Sequence, residues 1–155
     1  MRICLMCDLH LGFDRNALQY DVLEWAIKNI YAQKPDCIIF AGDVTCDGNA
    51  QVYEWFIDKM QRINIPFFYI PGNSDLRCES TRERIHSNAS NCRNIIDGIT
   101  VYAVNDSDMS ISDAVFEEIQ NADKDGIVFM HHPVDAYTGE TGEKLSCWRS
   151  THADT

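Results

Sequence analysis

Positive charge is scarce in this chain. Thirteen Lys and Arg stand against 24 Asp and Glu, a net charge of −11 at neutral pH. Sequence-independent binding to nucleic acid or to an anionic membrane needs a basic footprint, so neither is expected as a partner. An anionic substrate in a small site stays open, because bound divalent cations reverse the local sign. Long apolar runs are absent too: nothing approaches the about 18 residues of a membrane span. At the start, Arg2 is followed only by Ile3 to Cys7 before Asp8 and His10 interrupt, which is not a secretory leader. A cytoplasmic protein is the resulting expectation. Ordered cysteine spacing is the third absence. The 7 cysteines are odd in number and scattered, a poor disulfide framework. Cys4 and Cys7 fit C-x-x-C, but "RICLMC" reads as a strand, where residues three apart point to opposite faces. Such a pair does not grip one zinc, and both are read as core thiols. No internal repeat and no long linker interrupts the chain.

What is present alternates. "RICLMCD" reads as a buried strand ending at Asp8. Residues 16–32 carry Leu18, Val22, Ala26 and Ile30 at helical spacing, with Trp25 and Ile27 alongside, and Pro35 ends that unit. "CIIFAGD" is a second strand, Asn49 a helix cap, and Val52, Phe56, Met60 and Ile63 mark a second helix. "PFFYIPGN" is a third strand, followed by a short polar helix around 80–88. "ITVYAVND" follows an Asp97-Gly98 turn as a fourth strand. Ser112 caps a helix carrying Val115, Phe116 and Ile119, and "IVFMHH" is a fifth strand. Residues 133–155 are polar and weakly patterned. This alternation predicts an α/β fold on a largely parallel sheet, in one domain spanning 1–155.

Ligands of such sheets collect at the carboxyl ends of the strands. Those ends carry Asp8 and His10, Asp43, Asn73, Asn105 and Asp106, and His131 and His132. Singly, each is an ordinary cap or turn residue. Jointly, they deliver oxygen and nitrogen donors from five elements to one edge. Asp8 and His10 share a side of an extended segment, since side chains there alternate with period two. Gly42 before Asp43 and Gly72 before Asn73 allow close backbone approach. A mixed Asp, His and Asn set without thiolate suits Mn²⁺, Fe²⁺, Zn²⁺ or Ni²⁺ rather than a structural zinc cage. More than four donors suggests two ions with Asp43 between them, the clamp used to hydrolyse phosphate esters.

These motifs resemble those of the calcineurin-like metallophosphoesterases. "CDLHLG", "GDVTCDG", "PGNSDLR" and "MHHPV" follow one another in the family's order, over residues 1 to about 135, with 136–155 a divergent or truncated tail. The pattern is similar to the branch of cyclic-nucleotide and glycerophosphodiester phosphodiesterases. The resemblance implies a β-sheet sandwich flanked by helices, incomplete at the C-terminus. It implies that Asp8, His10 and Asp43 hold one ion and that Asp43, Asn73 and His131 hold a second. Asp47 would shape its loop or support a ligand. Ser74 stands where most members carry a histidine that contacts phosphate and helps protonate the leaving group. His132 or Asp75 would take over part of that role, Asn73 with His132 would orient the phosphate, and Ser74→His would raise the rate on poor leaving groups. The family's G-H-x-H motif is missing. His152 is the tail's single histidine and a candidate ligand, and an apolar sheet face left uncovered would imply a truncated chain, a rearranged tail or a homo-oligomer that covers it.

The function so implied is metal-dependent hydrolysis of a phosphate ester, more a diester than a monoester, by a hydroxide bridging two ions. The alternative is a non-catalytic scaffold that binds protein through a degenerate metal edge, as one member in an endosomal coat does. A nuclease fits the acidic charge least well.

Overall fold

A computed structural model of the chain describes residues 1–90, 93–122, 126–132, 136–138 and 143–145. Strands β1 (Ile3–Met6), β2 (Cys37–Ala41) and β3 (Phe67–Ile70) form a parallel sheet in the order β1-β2-β3. They are joined by helices α1 (Leu18–Gln33) and α2 (Ala50–Gln61), and α3 (Glu79–Asn88) follows β3. A second sheet, β4-β5-β6, is built from β4 (Arg93–Ile96), β5 (Ile99–Ala103) and β6 (Ile127–Phe129), with α4 (Asp113–Gln120) between the last two. A short antiparallel pair, β7 (Ala136–Thr138) and β8 (Glu143–Leu145), lies in the segment that shows little pattern in the sequence.

Alternation along β2 sets the layers. Ile38 and Phe40 face α1 and α2, in a core shared with Leu23, Ile27, Val52, Phe56 and Met60. Cys37, Ile39 and Ala41 face the other way and meet Val101, Ala103 and Phe129 of the second sheet. Tyr102 and Val104 turn outward onto the α4 layer, where Val115 and Ile119 pack. The result is helices, sheet, sheet, helix: the expected sandwich. Ring packing locks the first layer, with Phe40 edge-on to Phe56 at 4.8 Å between centroids.

Local signals explain most boundaries. Asn49 caps α2, its side-chain oxygen accepting from the N–H groups of Gln51 and Val52. α1 closes at Lys34, which takes a left-handed conformation and donates its N–H to the Ile30 carbonyl before Pro35.

Three expectations need correction. First, of the expected α1 stripe only Ile30, with Ile27 alongside, is buried, and Leu18, Val22 and Trp25 form an outer stripe. Leu18 is 73% and Trp25 66% exposed, while Tyr20, Leu23, Ile27 and Ile30 are buried. Both stripes have helical spacing, and the second is the one that meets β2 and α2. The first stripe instead borders the free edge of β1, where Trp25 and Ala26 line an apolar groove with Ile3 and Leu5. Second, Asp97-Gly98 is not merely a turn before a strand. Ile96 pairs with Ile99, and both turn residues have positive φ (51° and 79°), so β4 and β5 form a tight two-residue hairpin. Third, that antiparallel pair makes the second sheet mixed, with β5 and β6 parallel.

Candidate metal centre

The two sheets deliver their polar tips to one edge. Past β1 and β2, the backbone hydrogen bonds continue irregularly: Asp8 N–H to the Gly42 carbonyl, His10 N–H to Asp43, Leu11 N–H to Val44. Asp8, His10 and Asp43 all have positive φ, 55°, 46° and 54°. This corrects the simple picture of Asp8 and His10 on one side of an extended strand. β1 ends at Met6, and left-handed turns bring the two side chains together. Asp and His are among the residue types that tolerate this region best.

One potential ligand atom from each of Asp8, His10 and Asp43 lies within 4.8 Å of the others. His10 Nε2 is 3.6 Å from both Asp8 Oδ1 and Asp43 Oδ2. The other Asp43 oxygen, Oδ1, faces a second group: His131 Nε2 at 3.5 Å, which is itself 3.3 Å from Asn73 Oδ1. Asp43 therefore stands between Asp8 with His10 on one side and Asn73 with His131 on the other, and only 5% of it is exposed.

The tautomer of His131 follows from its surroundings. Its Nδ1 is 2.8 Å from the Ala41 carbonyl, an obligate acceptor, so Nδ1 carries the proton. Nε2 then presents a lone pair to two more acceptors, Asn73 Oδ1 and Asp43 Oδ1. Side-chain acceptors outnumber donors at this point among the described residues, an arrangement that a cation relieves. The donor set is chemically suited to divalent first-row ions. The Ser74 N–H donates to Asp43 Oδ1 at 2.9 Å, while its buried Oγ has no hydrogen-bond partner among the described residues.

Gly42 and Gly72 form the floor. A Cβ on Gly42 would sit 2.5 Å from His131 Nδ1, and one on Gly72 would sit 2.2 Å from Asp43 Oδ1. Asp75 lies beneath them, fully buried. Its Oδ1 accepts from Thr45 N–H and Oγ1, and its Oδ2 from Val44 N–H, Tyr69 OH and Gly72 N–H. Burial, then the Asp75 charge, holds the Tyr69 phenol far above its ordinary range, so it stays a donor. Asp47 is exposed and bonds Asn49 N–H within its own loop.

A residue that sequence reasoning left among the strand ends proves central. Asp106, fully buried, accepts the backbone N–H of His131 at 3.0 Å and of His132 at 2.8 Å. It also faces His132 Nδ1, which lies 3.3 Å from its Oδ2 and 3.1 Å from its carbonyl. Both are acceptors, so that nitrogen is protonated and Nε2 is the free one. The rings of His131 and His132 meet edge-on at 4.6 Å.

Position bears on Ser74 and on the C-x-x-C pair. Ser74 is fully buried beside Asp43. The Cys7 thiol is pushed up to about 11, first by its hydrogen bond to the Asp8 carboxylate and then by burial, and burial raises Cys4. Both are thiols at neutral pH, but Cys4 is only half-buried and Cys7 is exposed beside Asp8, which corrects their reading as core thiols. His152 lies outside the described residues. Among the described residues no helix is long and apolar enough to cross a membrane.

Comparison with known proteins finds phosphodiesterases among the chain's relatives. Over 42 residues the chain is 43% identical to a probable glycerophosphodiester phosphodiesterase of Arcobacter nitrofigilis, covering 27% of this chain and 15% of that protein. It is 31% identical over 90 residues to a probable cyclic nucleotide phosphodiesterase of Moraxella catarrhalis, covering 54% and 32%. A third relative, a probable cyclic nucleotide phosphodiesterase of Xenorhabdus bovienii, is 28% identical over 85 residues, covering 49% and 34%. The chain thus spans about a third or less of the length of these curated relatives. The model of the calcineurin-like phosphoesterase family matches residues 1–149, and with that match the chain belongs to this family.

Proposed function

We propose that the protein hydrolyses phosphate esters, diesters in preference to monoesters, with two divalent metal ions held at the strand-tip edge. The observation that carries this reading is the placement of Asp43, whose two carboxylate oxygens face two separate groups of donors. Asp8, His10 and Asp43 would hold one ion, and Asp43, Asn73 and His131 the other. The chemistry such ions supply when bound is activation of water at neutral pH and neutralisation of phosphoryl charge.

The remaining work falls to the chain's own residues. His131, anchored through Nδ1 to Ala41, keeps its free nitrogen aimed at the shared edge. Asn73 contributes a neutral oxygen, limiting the negative charge a phosphate anion must approach. His132, fixed by Asp106, leaves Nε2 free to orient the phosphate. Asp75 is assigned to bracing rather than to chemistry, since its oxygens are occupied by the loops that carry Asp43 and Gly72. The names of the relatives support a phosphodiester substrate. Nothing among the described residues favours the scaffold alternative, because the donors converge rather than disperse.

The test is turnover of bis(p-nitrophenyl) phosphate by the Mn²⁺-loaded protein. Chelation should abolish it, and Asp43→Ala should lower kcat/KM by more than about 100-fold, beyond the range typical of outer-shell changes. Equal rates for Asp43→Ala and wild type would overturn the reading.

A further inference from the structure

His10 stands outside regular structure. It lies past the end of β1 at Met6, and its φ of 46° is a conformation that persists only where neighbours hold it. Those neighbours come from the loop after β2. The His10 N–H donates to the Asp43 carbonyl at 2.9 Å, and the Leu11 N–H to the Val44 carbonyl at 2.8 Å. The peptide that joins His10 to Leu11 has one more polar atom, the His10 carbonyl oxygen. Its partner is a side chain, the thiol of Cys46. A carbonyl only accepts, so the thiol donates. Both polar atoms of that peptide are thereby held from the same loop.

Cys46 is itself fixed from two sides by its main chain. Its N–H donates to the Leu11 carbonyl at 3.0 Å, and its carbonyl accepts from Arg77 Nη1, in the loop that carries Asn73, at 2.9 Å. The residue before it, Thr45, is tied to Asp75 through its N–H and its Oγ1. A change of the side chain at 46 removes the bond to His10 and leaves these in place. The thiol also acts on one side of the centre. His10 Nε2 faces Asp8 Oδ1 and Asp43 Oδ2, each at 3.6 Å. His131, on the other side, is anchored independently, through Nδ1 to the Ala41 carbonyl.

We infer that Cys46 is a positioning residue for His10: its thiol holds the peptide that aims the imidazole at Asp8 and Asp43, and so sets the affinity of one ion and not of the other. The inference rests on the two-ion reading above. The experiment is a calorimetric titration with Mn²⁺ of the wild type, Cys46→Ala and Cys46→Ser, changes at a half-buried loop position that the fold should tolerate. The wild type should show two sites. Cys46→Ala should weaken one of them by about tenfold, the lower end of what losing a group that orients a ligand costs, and leave the other within about twofold. Cys46→Ser keeps a donor on the same carbon and should recover most of the lost affinity. In a His10→Ala background Cys46→Ala should have no further effect on the binding that remains, since its route to the ion is gone. Equal weakening of both sites, no recovery with serine, or a further loss in the His10→Ala background would assign Cys46 to general packing and overturn the inference. If the wild type binds a single ion, the two-ion reading fails separately. A single site that Cys46→Ala weakens and Cys46→Ser restores still supports the positioning of His10, and one that Cys46→Ala leaves unchanged overturns it. Absence of any Mn²⁺ binding overturns both.

Discussion

At the scale of single residues, the centre depends on what is missing as much as on what is present. Gly72 has no Cβ because Asp43 Oδ1 occupies that place, 2.2 Å from where the Cβ would be. Gly72→Ala should therefore displace the carboxylate shared by both groups of donors and weaken Mn²⁺ binding by at least about tenfold, read by calorimetry. Gly12→Ala is the control, since its Cβ would meet only Cys46 Sγ at an ordinary 3.8 Å, and binding should not change. Asp8, His10, Asp43, Asn73 and His131 were legible as candidates in the sequence because each lies within a few residues of the end of an apolar run. Asp106 was visible only as one more polar residue at a strand end. Its role is to accept N–H groups from residues 25 and 26 positions later, and no local pattern records such a bond. Asp75 was half legible: it was expected near the phosphate or bracing its loop, and only its burial and its partners distinguish the two.

At the scale of elements, α1 shows where periodicity runs out. It carries two apolar stripes with the same spacing, and a hydrophobic pattern alone does not choose between them. Tertiary contact with β2 chooses Leu23 and Ile27. Leu23→Ala should lower unfolding free energy by about 2–5 kcal/mol, as for other buried leucines. Leu18→Ala, on the exposed stripe, should stay within about 0.5 kcal/mol; chemical denaturation of both variants checks the assignment. The hairpin of β4 and β5 was missed for another reason. "RNII" is short and half polar, so Asp97-Gly98 read as a boundary rather than as a reversal joining two strands. By contrast α2, with one stripe and one strong cap, was readable throughout.

At the scale of the whole molecule, layering was legible only in part. The parallel first sheet followed from its continuous apolar strands, whereas the second sheet was expected from family resemblance and not from periodicity. The centre joins the two sheets: Asp43 and Asn73 come from the first, His131 from the second. Ions held there as proposed would tie the layers together, so binding should stabilise the entire fold. With Mn²⁺ at 100 times its dissociation constant, the gain should be about 2.7 kcal/mol, seen as a rise in Tm that a chelator reverses. Asp43→Ala should show no rise. The chain's net charge of −11 works in the same direction, since cations reduce repulsion within an acidic molecule.

The left-handed backbone at Asp8, His10 and Asp43 has a consequence for how variation in this protein would be read. Glycine adopts that conformation more easily than any other residue, so a change to glycine at these places relieves the chain while it removes a donor. At Asp8 and His10 such variants would hold the metal-free protein's stability close to the parent's, while with Mn²⁺ present they would lack the parent's rise in Tm. A screen for sturdiness run under chelation would thus erode the centre without trace, and the same screen run with metal would register the loss.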